Sequence, residues 1–247
     1  MINGLYLSAA GMLPRINQMS NVSNNLANVS TNGYKKSNIF LRQLIDASYA
    51  LDHAMGIERQ QAPEDVRIDF TQGTFEKTNN PFDLALNGSG FLRVRDNAGE
   101  INYTRNGRFY QDPNGFLVTG SGMFLLSDVN NVLRIDGDEV DIMGNGDIVI
   151  DGVQTDTIGI AEFDNADYTN LYDIGMGLFK KPAAVNEILP NPDAVLYQGY
   201  LEDSNVEPVK TMVDMIELFR AFELGQKAIQ IQDQSLQRVV TEVGVIR

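Results

Sequence analysis

Two sets of apolar residues at seven-residue spacing, one at each end of the chain, limit most strongly what it can fold into. Near the start, Leu5, Met12, Met19 and Leu26 form one row and Ile2, Ala9, Ile16 and Ser23 a second. Near the end, Met215, Phe222, Ile229, Leu236 and Val243 form a row, with Met212, Phe219, Gln226, Asp233 and Val240 beside it. This spacing is that of a helix with one apolar seam. A lone amphipathic helix is marginal in water, so each seam needs a partner, and the simplest solution pairs the two ends with each other. Pro14 interrupts the first pattern, but the periodicity runs through it, which predicts a helix with a bend there. Gln226 and Asp233 are poor seam residues; they suit a face that meets polar groups of another chain or fixes register.

Between the ends the pattern changes. Residues 65–200 hold 16 of the 22 glycines, with short β-branched and aromatic runs and no persistent 3.6-residue period. Asn106-Gly107 and Pro113-Asn114-Gly115 read as hairpin turns, so this stretch predicts an all-β domain of about ten strands. The expected fold class is α+β: long N- and C-terminal helices packed together as a coiled-coil-like domain, with a central all-β domain of hairpins. The expected divisions are residues 1–35 as the N-terminal helix, 36–64 as a connector, 65–200 as the β domain and 201–247 as the C-terminal helix. Ser204, Asn205 and Glu207 supply a capping-box start to the last helix, with Pro208 in its first turn. In Asn24 to Lys36, "NNLANVSTNGYKK", the asparagines and Gly33 suit a helix exit. Lys35 and Lys36 suit the negative end of the helix dipole. Side-chain amides with little charge also suit a surface buried between subunits.

Composition excludes several functions. The chain has no cysteine and one histidine, His53, which leaves no thiol chemistry and no imidazole cluster. Residues 1–45 carry four bases and no acid, and six acids face five bases from Asn205 onward. The net charge of −14 therefore places −17 on residues 46–204. Such a body repels nucleic acid and anionic membrane. No apolar stretch approaches the ~20 residues of a membrane span, and the start lacks the cationic region of a secretory signal.

Candidate chemical motifs are weak. Gly88–Gly90 and Gly144–Gly146 lack the third glycine of a dinucleotide loop and read as turns. The segment "DVNNVLRIDGDEVDIMGNGD" has the composition of a calcium loop without EF-hand spacing. The Asp138–Glu139 pair could serve glycan hydrolysis, but among 33 acids such pairs arise by chance. No catalytic residue, cofactor or metal ligand is expected. The alternatives kept beside a structural role are a cell-wall glycan-acting enzyme and a calcium-dependent adhesive module.

Several long motifs carry a family likeness. "SAAGM" (Ser8–Met12) and "SNNLANVSTNGYKK" (Ser23–Lys36) resemble the N-terminal signature of bacterial flagellar rod and hook proteins. "NPFDLALNGSGFLRV" (Asn80–Val94) and "YTRNGRFYQDPNGFLVTGSG" (Tyr103–Gly122) resemble their central motif, and "GYLEDSNVEPVKTMVDMIELFRAFELGQKAIQIQD" (Gly199–Asp233) their C-terminal one. The ending is more similar to the proximal-rod members, and the start is also close to the distal-rod members. The resemblance implies an axial structural subunit of the basal body, not an enzyme. Its terminal helices would form an inner tube and its β domain would lie outside. It further implies export through the flagellar type III apparatus without a cleaved signal peptide, to a periplasmic rod. Partners would be copies of itself and neighbouring rod and hook proteins, with surrounding peptidoglycan and ring proteins as further contacts, and no nucleic acid or small-molecule substrate. The residues expected at the assembly interface are Leu5, Met12, Ile16, Met19, Leu26, Met212, Met215, Phe219, Phe222, Gln226, Ile229, Asp233 and Leu236. Asn24, Asn25, Asn28 and Gly33 would shape the helix exit.

Overall fold

The computed structural model describes residues 2–40, 65–137, 139–164, 168–182, 185–188 and 194–243. His53, Asp138 and most of the expected connector lie outside the described residues. The chain divides into two compact units. One comprises residues 1–27, 37–67 and 207–247, the other 28–36 and 68–206.

The first unit contains helix α1 (Ile2–Ala27), helix α2 (Pro208–Val243) and a two-stranded sheet of β1 (Ser37–Phe40) and β2 (Asp65–Ile68). Pro14 lies inside α1, and the helix continues through it. The proline ring removes one donor from the i→i−4 ladder there. The α1 terminus packs on β1 through side-chain amides. Asn25 accepts from the Ser37 N–H at 3.0 Å and donates to the Ser37 carbonyl at 2.8 Å, so one amide stands in for a neighbouring strand. Asn21 donates to the Ser37 hydroxyl at 2.6 Å.

The second unit is a β body. It runs through β3 (Phe75–Lys77), β4 (Leu84–Asn87), β5 (Phe91–Arg95), β6 (Ile101–Thr104), β7 (Phe109–Gln111), β8 (Leu117–Thr119) and β9 (Phe124–Leu125). It continues with β10 (Val140–Ile142), β11 (Asp147–Ile150), β12 (Val153–Thr157), β13 (Ile160–Ala161), β14 (Tyr172–Gly175), β15 (Leu178–Lys180), β16 (Val195–Gln198) and β17 (Tyr200–Glu202). The largest sheet has the order β14-β15-β6-β5-β9-β8-β7, with β13 also on β5; β10-β11-β12 form a separate meander. Late strands return to early ones: β16 pairs with β4 and β17 with β3, both antiparallel. Pro113-Asn114-Gly115 turns the chain between the paired strands β7 and β8, as its turn chemistry predicts, whereas Asn106-Gly107 joins β6 to β7, which do not pair, so the expected hairpin is not formed there. One core gathers aliphatic residues such as Leu84, Leu92, Leu117 and Leu125 with Phe109. A second is aromatic, with Phe91, Tyr103, Phe163 and Phe179, and Phe70 is edge-on to Phe91 at 5.4 Å.

The expected architecture of long terminal helices zipped into a coiled-coil-like domain needs correction. The described residues form a predominantly β molecule with one helix at each end, and the N-terminal helix stops at Ala27. The anticipated seam is not closed, because Ile16, Met212 and Phe219 are 42, 48 and 51 % exposed. The half-buried positions of α2 are instead Thr211, Met215, Leu218, Ala221, Phe222, Gly225, Ile229 and Gln232. Three residues on from Met215, Phe222 and Ile229 lie Leu218, Gly225 and Gln232, and these are covered in place of the expected Phe219, Gln226 and Asp233 four residues on. Gly225 explains the choice: a Cβ there would lie 3.2 Å from Met12 Cγ and 3.4 Å from its Sδ, so the bare backbone admits the methionine. Gln226 and Asp233 consequently stand exposed and occupy no seam.

Candidate assembly face and the buried clasp

On α2, Val209, Met212, Val213, Ile216 and Phe219 remain exposed on the side away from the half-buried row, and Leu224 and Ile231 continue the apolar surface. On α1, Met12, Met19 and Leu26 are half-buried with Val22, while Ile16 and Ser23 are exposed. Met215, Phe222 and Ile229 are half-buried. The expected interface residues thus divide into an inner set on the covered faces and an outer set of Ile16, Met212, Phe219, Gln226 and Asp233. The side chains of Leu5 and Leu236 lie outside the described residues.

The helix-exit residues do different work. Asn24 is exposed, while Asn25 is buried against Ser37. Asn28 accepts from Thr31 through both its carbonyl, at 3.1 Å, and its side chain, at 3.2 Å, which closes the turn after α1. Gly33 has φ +68°, and a Cβ on it would come within 2.3 Å of the Arg105 carbonyl carbon. The Gly33 N–H donates to the Glu202 carbonyl at 2.7 Å.

Beside Gly33 the β body contains a buried clasp. Lys35 Nζ is 2.5 Å from Glu202 Oε1, with neither side chain exposed, and donates to the Thr71 carbonyl at 2.9 Å. The Gly73 N–H donates to the same carboxylate oxygen at 3.0 Å. Arg105 reaches Glu202 Oε2 at 3.4 Å, donates to the carbonyls of Leu86 and Gly88, and lies over the Phe91 ring at 5.5 Å. Asn205 completes it, accepting from the Lys36 N–H at 2.7 Å and donating to the Asp69 carbonyl at 2.7 Å. Burial lowers the pKa of Lys35 below its ordinary value, and the Glu202 carboxylate offsets this in part. Burial likewise lowers that of Arg105 against the opposing pull of Glu202.

The sequence reading missed Lys35, Arg105, Glu202 and Asn205. The sequence suits Lys35 to the helix dipole, yet it is a buried ion-pair partner eight residues past the end of α1. The sequence suits Asn205 to the α2 cap, but its side chain holds the backbone of Lys36 and Asp69. The first turn of α2 instead uses the Glu207 carbonyl, which accepts from the Thr211 N–H at 3.0 Å. A partial signal existed: Glu202 ends β17 directly after Tyr200 and Leu201, where an unpaired carboxylate would be costly.

Comparison with known proteins bears on both features. Residues 197–242 match the model of the flagellar basal body rod FlgEFG protein C-terminal region, and residues 85–161 that of the flagellar hook protein FlgE/F/G D1 domain. The chain is 34% identical to the flagellar basal-body rod protein FlgG of Buchnera aphidicola subsp. Acyrthosiphon pisum over 97% of its own length and 99% of the relative's. It belongs to the flagellar basal-body rod protein family. Among other rod-family relatives, FlgF of Caulobacter vibrioides is 32% identical over the whole of both chains. FlgG of Bacillus subtilis is 29% identical over 97% of this chain. In this rod-family chain the C-terminal match contains Glu202, Asn205 and the α2 face, and the D1 match contains Arg105.

Proposed function

We propose that the protein is an axial structural subunit of the flagellar basal-body rod and that the exposed apolar surface of α2 joins it to its neighbours. The observation that carries this reading is the row Val209, Met212, Ile216 and Phe219, left uncovered although the opposite face of the same helix is packed. Contiguous exposed apolar surface of this kind marks a docking face. Ile16 on α1, with Gln226 and Asp233 on α2, supplies the polar and apolar rim of the contact, and the inner residues hold the helices together within one subunit. The contact is heterologous, one surface docking on a different surface of the next copy, so the assembly extends instead of closing into a ring. The neighbours are other copies and adjoining rod and hook proteins, reached after export by the flagellar type III apparatus to the periplasmic part of the basal body.

Phe219→Asp tests the reading. The variant is expected to keep the β-body circular dichroism of the parent chain and to abolish swimming and recovery in purified basal bodies. Normal swimming with Phe219→Asp and Ile216→Asp combined would overturn it.

A further inference from the structure

We propose that Asn106 is a site of spontaneous covalent modification: the Gly107 peptide nitrogen attacks the Asn106 side-chain amide, and position 106 ages to a mixture of aspartyl and isoaspartyl. The β body, with the turn after α1, contains five Asn-Gly pairs, at Asn32, Asn87, Asn106, Asn114 and Asn145. A glycine after asparagine offers the least steric bar to this attack, so all five pairs are chemically competent in an unfolded chain. The fold separates them. In four pairs the attacking N–H is already occupied. Gly33 donates to the Glu202 carbonyl at 2.7 Å, Gly115 to the Asp112 carbonyl at 3.0 Å and Gly146 to the Met143 carbonyl at 2.9 Å. Gly88 donates to Gln72 Oε1 at 3.4 Å, and the Asn87 amide reaches across to the Tyr197 hydroxyl on β16 at 3.4 Å. The Gly107 N–H has no acceptor among the described residues.

The electrophile is prepared as well. Asn106 Oδ1 accepts from the Arg108 N–H at 3.1 Å, so the side chain is curled over the Gly107 peptide with its carbonyl polarised. As the Gly107 nitrogen adds to Asn106 Cγ, charge collects on Oδ1, where that donor already points. Asn145 supplies an internal comparison. Its Oδ1 is bonded in the same way by the Asp147 N–H at 3.1 Å, but its Gly146 N–H is tied down. Asn106 is only half-buried, so water reaches it. The Gly107 nitrogen gives its proton to hydroxide, a bond forms from it to Asn106 Cγ, and the bond from Cγ to the side-chain nitrogen breaks. That nitrogen takes a proton from water and leaves as ammonia. Water then opens the cyclic imide, cleaving either its N–Cγ bond to give aspartyl or its bond to the main-chain carbonyl carbon to give isoaspartyl. Both products carry a new carboxylate. The isoaspartyl form also lengthens the main chain between Arg105, which holds Glu202, and Gly107, whose carbonyl accepts from the Leu84 N–H at 2.9 Å. A Cβ on Gly33 would already lie 2.4 Å from the Asn106 nitrogen, so the longer turn has no room on that side.

The test incubates the full chain in mildly alkaline buffer, folded and, in parallel, unfolded in urea. Each pair is followed by chymotryptic peptide mapping with mass spectrometry; cleavage after Tyr103 and Phe109 isolates Asn106 in one fragment. A hydrogen bond that must open before attack slows it by about fivefold, so in the folded chain Asn106 is expected to convert about fivefold faster than Asn32, Asn114 and Asn145. It is also expected to convert faster than Asn87. In urea all five should convert at similar rates, and the product at position 106 should contain isoaspartyl. A folded-state rate at Asn106 no greater than that at any of the other four overturns the proposal. A lead that persists undiminished in urea overturns it too, because local sequence and not the fold would then set the rate. So does an aspartyl-only product, because water would then have attacked the side chain directly.

Discussion

Gly33 is held by geometry that no other residue meets easily. Its φ is positive, and a Cβ would strike the backbone of Arg105. Gly33→Ala should therefore destabilise the β body by about 2 kcal/mol or more, read from its denaturant midpoint. Two titrations with opposite signs test the interior. Burial and then the Glu187 carboxylate, 2.5 Å from the hydroxyl, raise the pKa of Tyr103 above its ordinary value of 10. Above that pH the unfolded chain loses a proton that the folded chain keeps, so unfolding free energy falls as pH rises. Tyr103→Phe should remove that alkaline slope. Lys35 runs the other way. Its folded pKa is lowered, so between that value and 10.5 the unfolded chain binds more protons, and this residue's term makes stability rise with pH. Lys35→Met should remove the rising term, leaving a steeper alkaline loss in pH-resolved urea denaturation. Neither group was legible in advance, because a pair closed across 167 residues leaves no local pattern around either member.

At the scale of elements, the helices were legible in kind and misread in packing. Seven-residue periodicity located α1 and α2, and the row of Met215, Phe222 and Ile229 lies on the covered face. The companion row was not legible, because only Met215 is followed by large apolar residues at three and at four positions (Leu218 and Phe219), and at the later turns neither choice is large and apolar. Gly225 held the missing clue, since a glycine within a helix often marks close approach of a neighbour. The two faces predict different outcomes. Leu218→Asp, on the covered face, should loosen α1 from α2 at a cost of about 2–3 kcal/mol, seen as faster amide exchange in both helices. Phe219→Asp, one residue on, should change monomer stability by less than about 0.5 kcal/mol while removing assembly. Equal effects of the two substitutions on amide exchange would contradict the assignment of faces. The Pro113-Asn114-Gly115 turn was legible because it carries its own backbone preference; Asn106-Gly107 was misread, because the strands it joins pair with other strands. The order of strands in the large sheet was not, since it depends on pairings with no local signature.

For the whole molecule, charge and apolar surface oppose each other. Residues 135–179 contain 11 acids and no base, and the chain carries −14 overall. Copies brought together through α2 repel through their β bodies, and salt screens that repulsion over a Debye length of about 10 Å at 0.1 M. Self-association of the purified chain should strengthen as sodium chloride rises from about 0.05 to 0.5 M, measured by sedimentation velocity. Weakening with salt would mean that ion pairs, not apolar contacts, hold the copies together.

The meeting of residues 35 and 202 has an architectural consequence. Within the β body their contact closes a ring through the strands from Phe75 to Glu202, and the perimeter of that ring is free to vary while its clasp stays fixed. Hairpin tips such as the one at Gly152, where a Cβ would meet nothing, are places to graft extra sequence without disturbing the clasp.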